Sequence, residues 1–85
     1  MTVTVRLRFF ASLREKLGEG EALSLPDGST VADVREALRA RGGVHAEALA
    51  PGRAVRSALN QTMSAESATL ADGDELAFFP PVTGG

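Results

Sequence analysis

The residues best placed to do chemistry are the last six of the chain, Pro80-Pro81-Val82-Thr83-Gly84-Gly85. Gly84 and Gly85 have no side chains, so a backbone that ends in a carboxylate could pass through a narrow channel in another protein. Six extended residues reach roughly 20 Å, enough to enter a neighbour's active site. Pro80 and Pro81 lack the backbone N–H that a central strand needs. We therefore expect a flexible tail over residues 80–85, with the carboxylate of Gly85 as its reacting group.

Side chains elsewhere in the sequence offer few alternatives for catalysis. The chain has no cysteine, which excludes disulfides, thiolate metal sites and cysteine nucleophiles. Its single histidine, His45, cannot form a metal site alone. Asp72 and Asp74 flank Gly73, but the twelve-position calcium loop with its distal glutamate is absent, so a tight turn is predicted there. We expect no metal site and no bound cofactor.

The composition is that of an ordinary globular domain. With 85 residues, 44% of them hydrophobic and 24% charged, the chain is long enough for one domain. A net charge of −2 gives no electrostatic reason to expect a nucleic-acid partner. No apolar run is long enough to span a bilayer, and no basic-then-apolar leader precedes the first predicted strand. We therefore expect a cytoplasmic protein that binds neither nucleic acid nor membrane.

Hydrophobic periodicity predicts strands that alternate with helices. Period-two alternation indicates strands, and apolar residues three and four apart indicate helices. The predicted elements are a strand at 2–10, a short helix at 11–17, a strand at 21–25, a long helix from about residue 31 to 41, strands at 55–60 and 63–64, and a strand at 75–79. Residues 44–53 give the weakest pattern, with a helical turn predicted at 46–50.

The long helix carries the clearest local signals. Thr30 can cap its start, and Asp33 completes an approximate capping box. An apolar stripe at helical spacing predicts the face that covers the sheet: Val31, Val34, Ala37 and Leu38. Arg35 is expected to face water, and Gly42-Gly43 is expected to end the helix.

This order of elements predicts an α+β fold with a mixed sheet of about five strands, covered on one face by one main helix. The first and last strands carry the longest apolar phases, so both should be central. A parallel pairing between them uses the long crossover that the helix provides. This arrangement is a β-grasp, which we assign to residues 1–79, with the tail following at residues 80–85.

Three large apolar side chains do not fit the predicted core. If the inward phases of the first and last strands face the helix, then Phe10 and Phe79 point to the open face of the sheet. Met63, on the short fourth strand, could join them. Two phenylalanines and a methionine beside the start of the tail predict a docking surface for another protein.

Three segments together closely resemble the MoaD family, the small subunits of molybdopterin synthase. They are the opening Val5-Arg6-Leu7-Arg8-Phe9-Phe10-Ala11-Ser12-Leu13-Arg14-Glu15, the middle Leu59-Asn60-Gln61, and the C-terminal run from Asp72 to Gly85. The string Phe-Phe-Pro-Pro-Val-Thr-Gly-Gly is the most specific part. The family consists of ubiquitin-like β-grasp sulfur carriers, and the resemblance extends over nearly the whole chain.

The resemblance implies a reaction at Gly85. An adenylating enzyme of the ubiquitin-activating type (MoeB-like) would use ATP to form an acyl-adenylate, and a sulfur donor such as a cysteine desulfurase or rhodanese would convert it to a thiocarboxylate. The charged tail would then enter the large synthase subunit (MoaE-like), where sulfur converts cyclic pyranopterin monophosphate to molybdopterin. The chain would thus be the small subunit of a heteromeric sulfurtransferase. Phe10, Met63, Phe79 and the residues from Pro80 to Gly84 would contact the partners.

Three other functions stay open on the sequence. A related carrier could deliver sulfur for thiamine synthesis or serve two pathways. A protein modifier could form isopeptide bonds through the Gly-Gly end, although Lys16 is the only lysine available for chain building on itself. An interaction module with an inert tail is the remaining alternative.

Overall fold

The computed structural model describes residues 1–50 and 54–80. Its elements are β1 (Thr2–Phe9), α1 (Ala11–Leu17), β2 (Gly20–Pro26), α2 (Val31–Arg39), α3 (Gly43–Ala48), β3 (Arg56–Leu59), β4 (Thr62–Met63) and β5 (Glu75–Phe79). The strands form one sheet in the order β2-β1-β5-β3-β4. The β1–β5 pairing is parallel and the other pairings are antiparallel. The predicted mixed sheet, with its first and last strands adjacent, parallel and interior, is confirmed.

One face of the sheet is packed against the helices. Along β1 the side chains alternate strictly between exposed and buried, as the sequence predicts. Phe9 and Phe78 are adjacent partners on β1 and β5, and their rings stack with centroids 6.2 Å apart. The buried core is formed mainly by β1, β5 and α2: Val3, Val5, Leu7, Phe9, Leu13, Leu25, Val31, Val34, Leu38, Ala48, Leu49, Leu70, Leu76 and Phe78.

The start of α2 confirms the predicted capping box. The backbone N–H of Asp33 donates to the side chain of Thr30, and the backbone N–H of Thr30 donates to Asp33 Oδ2 at 2.8 Å. These reciprocal bonds pair two of the donors that a helix start leaves without intrahelical partners. Val31, Val34 and Leu38 are buried as predicted. Ala37 is exposed, so its predicted place in the apolar stripe is wrong.

The end of α2 and the segment after it differ from the prediction. The helix ends at Arg39, and Gly42 with φ 75° forms the N-cap of α3 instead of stopping α2. The helical turn predicted at 46–50 is α3, which begins at Gly43. Gly42 and Gly43 both have positive φ, which favours glycine because it has no Cβ, and this explains why the two glycines lie at the start of α3.

Arg35 does not face water, contrary to expectation. Its side chain is 12% exposed and lies between α2 and the end of α3. Its Nε donates to Leu49 O at 2.9 Å and its Nη2 to Ala50 O at 2.8 Å, while Nη1 pairs with Glu66 at 2.6 Å. Because the last carbonyls of a helix have no intrahelical donors, a guanidinium can satisfy them from a neighbouring helix.

A second arginine joins the edge of the sheet to the segment between α2 and α3. Arg41 Nη1 donates to Glu21 Oε2 at 2.8 Å, and Nη2 donates to the other carboxylate oxygen. This bonding lowers the pKa of the Glu21 carboxyl against the opposing effect of desolvation, and the charges of Arg41 and His45 lower it further. The same hydrogen bond raises the pKa of Arg41.

The acidic turn before β5 is built by hydrogen bonds to its carboxylates. Asp72 Oδ1 accepts from the backbone N–H of Thr4, and Asp74 Oδ2 accepts from the backbone N–H of Ala71, both at 2.8 Å. Asp74 Oδ1 accepts from the side-chain amide of Asn60 at 3.0 Å. The turn predicted from Asp72 and Asp74 is therefore confirmed.

Candidate docking site

The parallel pairing of β1 with β5 places two phenylalanines together on the uncovered face of the sheet. Phe9 is opposite Phe78. Phe10 and Phe79 follow them directly in two parallel strands, so these two residues lie beside one another. The backbone N–H of Phe10 donates to Phe78 O at 3.1 Å, which extends the contact beyond the end of β1. Successive strand residues face opposite sides of a sheet, so both rings lie opposite the core.

A two-residue turn places Met63 on the same face. Asn60 and Gln61 both have positive φ, 50° and 69°, the backbone form of a type I′ hairpin. The turn sets Met63 opposite Ala58, and Ala58 is opposite Ala77 of β5. The motif Leu59-Asn60-Gln61, singled out for its resemblance, is therefore structural: it fixes the register of Met63.

The exposure of these side chains is consistent with a docking surface. Phe10 is 40% exposed and Met63 is 58% exposed, whereas Phe79 is partly buried. Paired residues form one row across four strands: Arg8 on β1, Ala77 on β5, Ala58 on β3 and Met63 on β4. The small side chains of the two alanines therefore lie between Arg8 and Met63. Phe10, Met63 and Phe79, with the two alanines, are called the open-face patch below. Large exposed apolar side chains grouped in this way mark interaction sites.

Arginines border the open-face patch. The guanidinium of Arg8 lies 5.5 Å from the centre of the Phe10 ring, a cation–π contact, and its Nη1 is 3.8 Å from Glu75 Oε1. A shallow cavity of about 620 Å³ extends from this point towards Arg14, whose Nη2 donates to Glu19 Oε1 at 2.6 Å. The patch thus has an apolar centre and a charged rim, as docking surfaces generally do.

Pro80, the first residue of the predicted tail, follows the patch directly. It is partly buried and lines a small cavity of about 170 Å³ with residues of α1, α3 and the segment before β3. Leu13 and Lys16 contribute from α1, and Ala48 contributes from α3. The base of the tail therefore lies against the helices, next to Phe79. The other predicted tail residues, Pro81, Val82, Thr83, Gly84 and Gly85, lie outside the described residues.

Sequence reasoning missed one residue that shapes this site. Ala11 has φ 53°, in the left-handed region that residues with a Cβ seldom adopt. At this position the chain passes from Phe10, on the open face, to Leu13, buried under the sheet. Glycine or asparagine is the usual sequence signal for such a backbone, and alanine gives none.

Within residues 1–50 and 54–80, no three or more carboxylate or imidazole side chains group together in a way that could hold a metal ion. None of the helices in this part of the chain is both long and apolar enough to cross a membrane.

Comparison with known proteins identifies the family. The model of the ThiS family matches residues 7–85 of the chain. The chain belongs to the ThiS family. A relative from Escherichia coli K12, the molybdopterin synthase sulfur carrier subunit, is 41% identical over 81 residues, which are 95% of this chain and 99% of that protein. The resemblance to molybdopterin synthase small subunits is confirmed.

Solved structures similar to this ThiS family chain support the fold. The HVO 2177 protein of Haloferax volcanii superposes with a TM-score of 0.83 and 32% identity, covering 99% of this chain and 88% of that one. A chain in the complex of subunits 1 and 2 of the molybdopterin-converting factor from Helicobacter pylori 26695 superposes with a TM-score of 0.66 and 25% identity, covering 98% and 100%. The β-grasp architecture predicted from the sequence is shared with these solved structures.

Proposed function

We propose that this chain is the sulfur carrier subunit of a molybdopterin synthase, with the carboxylate of Gly85 as the group that carries sulfur. The observation that carries the proposal is the position of Pro80, which leads out of β5 directly beside Phe10 and Phe79. A docked partner would therefore receive the tail at the edge of its contact with the open-face patch. The name of the Escherichia coli relative supports the same function.

The chemistry follows from the low reactivity of a carboxylate. An adenylyltransferase of the MoeB type joins a Gly85 carboxylate oxygen to the α-phosphate of ATP and releases pyrophosphate. The persulfide of a sulfur donor, such as a cysteine desulfurase or rhodanese, then displaces AMP to give an acyl disulfide, and a thiol reductant cleaves its S–S bond to leave the thiocarboxylate. In the MoaE-like large subunit this sulfur forms a bond to a carbon of cyclic pyranopterin monophosphate as that carbon loses its bond to oxygen, and hydrolysis of the resulting thioester returns the Gly85 carboxylate. Two such transfers supply the dithiolene of molybdopterin.

The open-face patch gives the carrier one way to serve several partners. Since the reacting group is the carboxylate of Gly85, the rest of the chain contributes by binding partners and presenting the tail. Phe10, Met63 and Phe79 supply the apolar contact, and glycines at 84 and 85 fit narrow channels because they lack side chains. Because the same patch would contact the activating enzyme and the large subunit, the two partners compete for one carrier. The complex known for the Helicobacter pylori protein supports a large-subunit partner.

Intact-mass measurement tests the proposal. After incubation with a MoeB-type enzyme, ATP and a sulfur source, we expect a mass gain of one sulfur-for-oxygen exchange. A variant that lacks Gly85 should fold normally and show no gain. The proposal is wrong if the full chain gains no sulfur while a known carrier does so under the same conditions. A loss of water, with attachment to a lysine of another protein, would instead favour the protein-modifier function.

A further inference from the structure

The two edges of the sheet differ in how they are protected. Sheet edges present unpaired backbone groups that can pair with another strand, and proteins limit this with short strands, charges or proline. The β4 edge consists of two residues, Thr62–Met63. The β2 edge is seven residues long, Gly20–Pro26, and it has a proline only at its last position. Within the described part of the chain, β2 is the longer and less protected edge.

The register of β2 with β1 shows which of its backbone groups point outward. The N–H of Phe9 donates to Glu19 O at 3.0 Å and the N–H of Asp27 donates to Met1 O at 2.9 Å, so odd-numbered β2 residues bond to β1. Hydrogen-bonding directions alternate along an antiparallel strand. The N–H and C=O groups of Gly20, Ala22 and Ser24 therefore point away from the sheet.

The side chains along this edge do not oppose the approach of another strand. Ala22 and Ser24 are small, uncharged and exposed, and Gly20 has no side chain. The one charge within the strand, Glu21, is bonded to Arg41 of the same chain. Glu21 is the inward charge of this edge, but Arg41 already pairs with it, and no proline lies at the centre of the strand to block edge pairing.

We propose that this edge pairs with the β2 strand of a second copy of the chain. The pairing is antiparallel, with a two-fold axis at Ala22, so that Ala22 faces its counterpart and Gly20 faces Ser24. Each of these pairs exchanges N–H and C=O bonds, because these residues carry the outward groups on both strands. Glu21 is then opposite Leu23, so the carboxylates of the two copies are not opposed. This self-complementarity is the reason to choose a second copy over an unrelated peptide.

The dimer leaves the open-face patch free. A two-fold axis perpendicular to the sheet places the open faces of both copies on the same side of one continuous sheet, with Met63 and Phe79 on strands beyond β1 from the new contact and Phe10 at the end of β1. Because the paired surface is one short strand from each copy, the dimer is weak and forms at high protein concentration. Self-association and partner docking are therefore separate properties.

Disulfide trapping tests the pairing directly, since the chain has no native cysteine. In the proposed register the two Cα atoms at position 22 lie about 5.5 Å apart, within the range that a disulfide can bridge. We expect Ala22→Cys to form a covalent dimer about tenfold faster than Ala37→Cys under mild oxidation. Ala37 is a matched control because it is an exposed alanine on α2. Equal rates for the two variants would overturn the proposal.

Removal of an outward N–H provides a second test in the native chain. Ala22→Pro deletes a donor that β1 does not use, so the fold, checked by circular dichroism and thermal unfolding, should remain. Sedimentation should show concentration-dependent dimers for the natural chain and for Phe79→Glu, but only monomers for Ala22→Pro. A natural chain that stays monomeric, or a dimer that Phe79→Glu abolishes and Ala22→Pro does not, would contradict the proposal. If the natural chain forms no dimer and Ala22→Pro loses binding to another protein, then the edge pairs with a peptide of that protein and the proposal is wrong.

Discussion

The two faces of the sheet are formed by the same strands but differ in what covers them. On the helix face, Leu76 and Phe78 of β5 are 0% and 1% exposed within the core. On the open face, Phe79 of the same strand is partly buried, and it lies beside Phe10. Adjacent phenylalanines in one strand thus have different environments because side chains alternate across a sheet.

This difference indicates that apolar residues serve two purposes in this protein. Those on the helix face remove apolar surface from water within the chain and hold the fold together. Those on the open face stay available, so they can lose water only when a partner docks. A mutation on one face should therefore change stability, and a mutation on the other should change binding.

The largest expected effect distinguishes Phe78 from Phe79. Phe78→Ala leaves a cavity against Phe9, so we expect it to lower the free energy of unfolding by about 3–5 kcal/mol. Phe79→Ala removes a partly exposed ring and should lower it by about 1 kcal/mol. Chemical denaturation measures both. Similar losses for the two variants would show that the open face contributes to the core.

A charge on the open face should weaken partner binding. Phe79→Glu places a charge in the centre of the open-face patch, and we expect about a tenfold or greater loss of affinity for the large synthase subunit. Thr2→Glu is the control, since it adds the same charge at an exposed position on the distant end of β1. Titration calorimetry measures both affinities. Equal losses would mean that charge alone, and not the patch, determines binding.

The third prediction concerns Ala11, where the chain crosses from one face to the other. Ala11→Gly removes the Cβ that disfavours φ 53°, so the free energy of unfolding should rise by up to about 1 kcal/mol. Ala37→Gly, at an exposed position within α2, should lower it by about 1 kcal/mol. Thermal and chemical unfolding compare the two. A loss of stability in both variants would argue against strain at Ala11.

The smallest expected effect is the pH dependence caused by Glu21. Its carboxyl has a lowered pKa in the folded chain, so the unfolded chain binds its proton at higher pH than the folded one. The stabilisation is fully present above the unfolded pKa of a glutamate and is lost as the pH falls through the lowered folded value. Glu21→Gln should flatten the decline in unfolding midpoint over this acidic range. Glu15→Gln serves as the control, and an equal flattening there would exclude a specific role for the Arg41 pair.

Patterning in the sequence predicts most of the fold because each prediction depends on short-range physics. The alternation in β1 and the capping box at Thr30 and Asp33 are local, and both are confirmed. The sequence does not predict the burial of Arg35, because its environment depends on the end of α3, whose position beside α2 no local pattern reveals. The backbone at Ala11 was missed for a similar reason, since alanine has no local preference for it.

The sequence by itself determined the strands and helices, the phases that separate Phe78 from Phe79, and the Gly-Gly end on which the proposed chemistry depends. Only the tertiary structure decided which residues meet: Phe10 beside Phe79 through the parallel β1–β5 pair, and Met63 in line with Ala58 and Ala77 through the Asn60-Gln61 turn. The physical reason is the separation along the chain over which each interaction acts. Periodicity and capping act over a few residues, whereas the open-face patch joins residues far apart in the chain, which come together only when the sheet forms.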